Sequence, residues 1–432
     1  MNKKAHKVMQ ARKGTEDKML IIDNAREIIT IAGDNRSPRK EEGLRDIGLV
    51  EDSSAIIEDG LILDVGPRRD VMSSVDTRNA TVIDASGKVV MPGFVDPHTH
   101  LIFAGSRERE LSWKIEGASY IDIAERGGGI ISTVNATRNA TSDDLFKTAA
   151  DRLTTMLRHG TTTVESKSGY GLRADDEIKI LKVSKKLAEH HVADVTSTFL
   201  GAHAVPPEFA DDADGYVQHV IEDMLPIVAD DELAEFCDVF CESGFFDIEQ
   251  SRSILNEGKV YGLEPKIHAD ELTDIGGAGL AAEIGAISAD HLERSSERGL
   301  REMAEENVIG ILLPGTSFTT DIGYANARRM IELGVPVALA TDFNPNCWTK
   351  SMQFIISLAC YRLKMLPSEA IVASTINAAH AIGRAHDIGS IEPGKRGDVI
   401  ILDIENHEQM PYRFAKNHVD MVIKKGEVVF SR

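Results

Sequence analysis

The chain is 432 residues long and 42% apolar, enough to bury the core of a large domain and a smaller second one. Its 48 Lys and Arg stand against 69 Asp and Glu, and the net charge of -21 repels phosphate backbones and anionic membrane surfaces, which argues against nucleic acid and membrane as partners. No stretch approaches the roughly 20 apolar residues of a membrane span, so an anionic substrate has to be met by cations placed locally.

Residues 1–17 carry Lys3, Lys4, Lys7, Arg12 and Lys13 without the apolar centre of a signal peptide, and read as a frayed, disordered tail. The four cysteines, Cys237, Cys241, Cys347 and Cys360, follow neither zinc-finger nor disulfide spacing. Cys237 and Cys241 read as buried thiols, which fits a reducing cytoplasm.

From residue 18 to 88 the text is short apolar alternation broken by turn residues: MLIIDNAREIITI, then AIIEDGLILDVG with Asp59-Gly60 as a hairpin signal, then ATVIDASGKVV. Ala32 to Gly48, polar and charged with Gly and Pro, reads as a mobile loop. The same strand style returns near the other end in GDVIILDIE and HVDMVIKKGEVVF. Residues 18–88 and 385–432 therefore compose one small β domain, with a larger body at 89–384 inserted between its halves.

That body opens with VVMPGFVDPHTHLIFAGSR, a buried strand interrupted at Pro92-Gly93 and ending on His98 and His100. Residues two apart on an extended chain share a face, so both imidazoles project into one space, which is metal-ligand spacing. Seven further strand-like runs follow at 161–166, 194–201, 236–243, 265–270, 286–291, 308–315 and 336–342, separated by helix-period stretches such as DDLFKTAADRLTTMLRHG. Eight strands alternating with helices imply a parallel (β/α)8 TIM-like barrel, whose functional groups gather at the carboxyl ends of the strands. A doubly wound open sheet is the alternative, although no Gly-x-Gly-x-x-Gly follows the first strand.

The strand ends then supply the rest of a site. The fifth ends in His268, the sixth in Asp290-His291 and the eighth in Asp342. One metal held by His98, His100, His268 and Asp342, with His291 beside it as a base or orienter, is the economical reading. Glu271 in KIHADEL could carry protons there, or could simply be a first-turn acid of the next helix, the reading that Asp270 keeps.

His-x-His after strand one, His after strands five and six, and Asp after strand eight resemble the metal-dependent amidohydrolase superfamily. The motifs PGFVDPHTHLIFAGSR, GGGI, GTTTVESKSGYG, FLGAHAVP, KIHADEL, SADHLE and ATDFNP carry the resemblance over nearly the whole chain. It implies a barrel with a sandwich built from both chain ends, and zinc or iron, as one divalent or trivalent ion, on His98, His100, His268 and Asp342. It further implies substrate contacts from Arg107, Tyr170, His203, Glu271 and Asn344, and backbone contacts at Asn346 and Cys347, where relatives often carry Gly and a small hydroxyl residue. A planar Arg107 fork suits a carboxylate, and the glycines around Tyr170 suit a loop close to a ligand. Dinuclear relatives use a modified lysine at the end of strand four; FCDVFCES has none, which favours a single metal.

The activity so implied is hydrolysis of the cyclic amide of 4-imidazolone-5-propanoate to N-formimidoyl-L-glutamate in histidine degradation. His291 or Glu271 takes a proton from water, His291 or His203 helps the oxyanion, Glu271 protonates the departing nitrogen, and Asp342 orients the water. A deaminase or cyclic amidohydrolase acting on another small heterocycle is the alternative, against which Arg107 with Tyr170 discriminates. A catalytically dead scaffold would lack ligands, and none is missing. Similar proteins lead one to expect a homodimer.

Overall fold

The computed structural model describes residues 19–432 apart from Ser119, and the tail read over residues 1–17 lies outside them. The first apolar runs form β1 (Met19–Ile29), β2 (Leu49–Glu58), β3 (Leu61–Pro67), β4 (Thr81–Asp84) and β5 (Val89–Pro92). Asp59 and Gly60, with φ of 50° and 83°, make the tight turn that pairs Glu58 with Leu61 across the β2–β3 hairpin.

The chain then enters a barrel of β6 (Phe94–Asp96), β7 (Thr161–Lys167), β8 (Asp194–Ala202), β9 (Phe236–Cys241), β10 (Glu264–Ala269), β11 (Ser288–His291), β12 (Ile309–Leu312) and β13 (Val337–Leu339). These eight strands lie side by side in chain order, each parallel to the next. Strand order never reverses, so the topological switch point of a doubly wound sheet is absent. Between β13 and β6 the ring closes through backbone bonds just beyond the strands: Asp342 N donates to His98 O at 3.1 Å and His100 N to Phe343 O at 2.9 Å. The residues that carry the candidate chemistry are therefore also those that shut the barrel.

Long helices cover the outside. Ser142–Arg158 starts at Thr141, whose hydroxyl accepts from Asp144 N, and it buries Leu145, Ala149, Leu153 and Met156, spaced by three and four. It is followed by Gly160, whose φ of +95° strains any side chain and where an added Cβ would lie 3.1 Å from Phe94 and 3.2 Å from Ile400.

After the barrel, β14 (Val399–Leu402), β15 (Val419–Lys424) and β16 (Glu427–Ser431) join β1–β5 in one sheet of order β16-β15-β14-β5-β1-β2-β3, with β4 also on β1. Leu20, Ile22, Ala55, Ile57, Val90, Val399, Ile401 and Ile423 form its own core.

Two expectations need correction. The run from Val89 is not one strand: Val89–Pro92 pairs with β1 and β14 in the terminal sheet, and only Phe94–Asp96 belongs to the barrel, so the boundary falls at Gly93 instead of before Val89. A side chain at Gly93 would strike Thr162 of β7, which is why the crossing between sheets is made there. The segment Ala32–Gly48 is not a loose loop. It buries Leu44 and Ile47, and the Arg39 guanidinium donates to the carbonyls of Ile31, Ala32 and Asp46. The guanidinium gathers backbone carbonyls, sharing that of Ile31 with Asn35 Nδ2.

Candidate active site

Side chains at the ends of parallel strands project from the mouth of a barrel, and here they converge. His98, His100, His268, His291 and Asp342 are each no more than 3% exposed. The His98 ring lies 4.6 Å from His268 and 5.4 Å from His100, centre to centre, and Asp342 Oδ1 is 3.5 Å from His98 Nε2 and 3.7 Å from His100 Nε2. Two of the three sets of ligand atoms that fall within 4.8 Å of one another among the described residues contain His98: His98, His100 and Asp342, and His98, His268 and His291. His98 is common to both, and His291 stands as close as the residues read as ligands. His291 and Asp342 have φ of 79° and 46°; such left-handed residues cost about 1–3 kcal/mol each and cluster where function constrains the chain.

Burial holds the pKa values of His98, His100 and His291 well below the ordinary imidazole range, so they are neutral and offer lone pairs. His98 Nε2, His100 Nδ1, His268 Nε2 and Asp342 Oδ1 are buried without a hydrogen-bond partner. Each such atom costs about 1–3 kcal/mol unless something meets it. The atoms that face one another, His98 Nε2, His100 Nε2 and Asp342 Oδ1, are imidazole nitrogens and a carboxylate oxygen, a donor set that fits a metal ion. Burial raises the Asp342 pKa, and a neighbouring cation is what favours its ionised form. Its other oxygen accepts from the Thr316 hydroxyl.

Behind the ligands lies a layer that strand spacing did not reveal. Asp290 Oδ2 is 2.6 Å from His98 Nδ1, and Asp238 Oδ2 is 3.0 Å from His268 Nδ1. Lys167 Nζ touches both acids, and Glu165 and Lys266 complete the fully buried group. The one available signal was Glu165 and Lys167 two apart, hence on one face, in an otherwise uncharged strand.

In front of the ligands a cavity of about 450 Å³ is lined by His100, Arg107, Tyr170, His203, Glu271, His291, Asp342, Asn344 and Asn346, together with Glu110 and Lys114. Arg107 Nε and Nη2 donate to the two oxygens of Glu110 at 2.8 and 2.7 Å, and Glu110 also accepts from Gly129 N. His203 stacks on His100 at 4.9 Å, and its Nδ1 lies 2.9 Å from Gly169 O. A side chain at Gly169 (φ +105°) would lie 2.8 Å from that nitrogen. Burial lowers the His203 pKa to about 3. The ring is neutral, Nδ1 donates to the carbonyl, and Nε2 remains an acceptor.

Glu271 carries a pKa raised well above the carboxylate range by burial and by the nearby acids Glu293 and Asp342. Its Oε2 is 3.7 Å from His291 Nδ1, and Glu293 Oε2 is 3.8 Å from the same atom. Glu293, which the sequence reading passed over, is pushed up to about 8 by burial while accepting from the Ser317 hydroxyl. Asp270 caps the helix Gly277–Glu283, accepting from Gly277 N and Ala278 N.

The turn after β13 departs from expectation. The backbone N–H groups of Asn346 and Cys347 both donate to Asn344 Oδ1, at 2.7 and 3.0 Å, so neither is free for a ligand. The Asn346 side chain lines the cavity. Cys347 does not; its thiol is buried and turned to Thr341 O.

A sequence model of the amidohydrolase family matches residues 89–429. The chain is 52% identical over 414 residues to an imidazolonepropionase from Shouchella clausii, covering 95% of this chain and 93% of the relative. It is also 52% identical to one from Geobacillus thermodenitrificans, covering 95% and 97%. Among solved structures, an adenosine deaminase from Xanthomonas campestris with bound zinc superposes with a TM-score of 0.67 at 16% identity, covering 95% of this chain and 93% of that one. A triazine hydrolase variant reaches 0.71 at 15% identity, covering 96% and 95%.

Proposed function

The chain belongs to the amidohydrolase family, and on that premise we propose that it hydrolyses the cyclic amide C–N bond of 4-imidazolone-5-propanoate to N-formimidoyl-L-glutamate, a step of histidine degradation, as relatives named imidazolonepropionase suggest. The observation that carries this reading is one cavity that joins the His98–His100–His268–Asp342 cluster to Arg107 and Tyr170. That pairs a hydrolytic centre with a group suited to a propionate.

His98, His100, His268 and Asp342 would hold a single metal ion, zinc or iron. When bound, such an ion supplies Lewis-acid chemistry, polarising the amide carbonyl and making water nucleophilic at neutral pH. The chain's own groups divide the proton work. Neighbouring groups whose surroundings drive their pKa values apart form an acid–base pair. Neutral His291, with Nδ1 unpartnered, accepts the proton from water, and Glu271, held protonated by its surroundings, delivers one to the departing ring nitrogen. Once protonated, His291 is a cation beside the developing oxyanion. His203 presents an acceptor, so it suits a ring N–H of the substrate better than the oxyanion. Arg107 takes the carboxylate with its remaining donor edge, Tyr170 closes the pocket against His100 and His203, and Asn344 shapes the turn that presents Asp342.

The enzyme acts in the cytoplasm as a homodimer in this reading, and no described helix is long and apolar enough to cross a membrane. The test is an absorbance assay of purified, metal-analysed protein with freshly generated 4-imidazolone-5-propanoate, with and without chelator. Chelator-sensitive ring opening faster than spontaneous decay is expected. A metal-loaded protein without turnover would refute the substrate while leaving the family intact.

A further inference from the structure

Beneath the ligand histidines, in the barrel interior, five charged side chains are fully buried: Glu165 and Lys167 from β7, Asp238 from β9, Lys266 from β10 and Asp290 from β11. They do not play equal parts. Lys167 Nζ lies 2.7 Å from Asp238 Oδ2, 3.2 Å from Asp290 Oδ2 and 3.1 Å from Glu165 Oε1. Lys266 Nζ instead lies 2.9 Å from Glu165 Oε2 and 3.3 Å from the carbonyls of Pro97 and Ala381. Only Lys167 therefore touches the two carboxylates that face ligand imidazoles. The oxygen of Asp290 it meets is the one 2.6 Å from His98 Nδ1, and the oxygen of Asp238 it meets is the one 3.0 Å from His268 Nδ1. Remaining lone pairs are held as well: Asp238 Oδ1 accepts from Val239 N and Asp290 Oδ1 from the Ser288 hydroxyl.

We propose that Lys167 is a positioning residue for the metal: its ammonium, shared by Asp238 and Asp290, fixes the two carboxylates that steer His98 and His268 from behind, so that both present Nε2 to the ion. Carboxylates behind a ligand imidazole set its tautomer and ring angle, and two such carboxylates side by side repel each other unless a cation lies between them. Asp238, His268 and Asp290 by themselves have the spacing of a further cation site, their ligand atoms lying within 4.8 Å of one another. The ammonium of Lys167 is the cation that lies against it, which makes the inner position one for a fixed charge of the protein and the outer position the one for a metal. The proposal rests on the reading of His98 and His268 as ligands given above.

The experiment measures zinc affinity by competition with a chromogenic chelator, and melting temperature in the metal-free state, for the full-length wild type, Lys167→Met and Lys266→Met. Lys167→Met is expected to bind zinc about tenfold to a hundredfold more weakly, the range seen when groups behind metal ligands are removed. Lys266→Met is expected to keep wild-type affinity while losing metal-free stability to a similar degree, which separates positioning from general loss of the buried network. Wild-type zinc affinity in Lys167→Met, or equal weakening in the two variants, would overturn the proposal. Lys167→Arg keeps the charge but displaces it, and covers the case in which the methionine variant does not fold; it too is expected to bind zinc more weakly than wild type. If neither Lys167 variant folds, the residue serves folding and the proposal is wrong. Failure of the wild type to bind zinc at all would instead refute the ligand assignment.

Discussion

Replacing Arg107 by methionine keeps most of the side-chain volume but removes the fork that meets Glu110 and, in the mechanism above, the substrate carboxylate. Hydrogen bonds to charged groups contribute roughly 1.5–3 kcal/mol, and each 1.36 kcal/mol is a factor of about ten. The loss in kcat/KM is therefore about tenfold to somewhat above a hundredfold, and it should fall on KM because the fork lies away from the reacting atoms. A second cost comes from the structure itself: Glu110 is 3% exposed and loses the guanidinium that pairs with it, leaving an acid in the pocket wall where a propionate must dock. Arg107→Met combined with Glu110→Gln removes that repulsion, while the amide oxygen still accepts from Gly129 N, so the double variant should recover part of the loss. The assay is steady-state ring opening over a range of substrate concentrations, with metal content checked in each variant. An unchanged KM in Arg107→Met, or a double variant worse than the single one by the full effect of a second independent loss, would refute the assignment.

Other outcomes follow from the same geometry. His268→Ala should abolish activity together with bound metal, read by elemental analysis of the purified protein; full metal content with normal turnover would remove His268 from the ligand set. Glu271→Gln keeps the shape but cannot deliver a proton, so kcat should fall by about a hundredfold to ten-thousandfold with metal retained, and a kcat near wild type would transfer the acid role to Glu293. At the foot of the barrel, Asp194 faces burial that would raise its pKa, yet Lys424, Arg396 and Lys425 bring it from 3.8 to about 2. A folded pKa below the unfolded one gives stability that is present above about pH 4 and lost as the pH falls toward 2, worth roughly 2 kcal/mol. Asp194→Asn should lower the melting temperature at pH 7 and leave little difference near pH 2; an equal effect at both would assign Asp194 to packing.

What could be read from the chain alone depended on whether the relation was local. His98 and His100 are legible because a period of two is a property of one strand, and Asp342 because a strand end in a barrel has one place to point. The Asp59-Gly60 hairpin follows from backbone conformations those two residues accept. Val89–Pro92 and the Phe94-Val95 pair are both apolar, so composition could not tell that Gly93 hands the chain from one sheet to another; that needs the height of Thr162 on a different strand. Arg39 looks like solvent-exposed charge until the carbonyls it collects are known. The Lys167 contacts with Asp238 and Asp290 join residues 71 and more positions apart in sequence, and no periodicity encodes such a distance. The turn at Asn346 and Cys347 was illegible for a comparable reason: no spacing shows that Asn344 Oδ1 accepts from both N–H groups.

The charge balance of the site explains why an acidic protein can serve an anionic substrate. In and under the cavity stand the acids Glu110, Glu165, Asp238, Glu271, Asp290, Glu293 and Asp342, against the cations Arg107, Lys114, Lys167 and Lys266. Acids outnumber cations, and in a region this poorly solvated the excess has to be balanced locally. Two of the acids, Glu271 and Glu293, are held toward their protonated forms by burial. Burial raises the Asp342 pKa as well, and its Oδ1 stands unpartnered beside His98 and His100. The cations are also layered: Lys167 and Lys266 are spent on acids below the ligands, whereas Arg107 and Lys114 line the open cavity. A substrate carboxylate entering the mouth therefore meets positive charge at the outer wall, with the reacting amide directed inward toward the histidines.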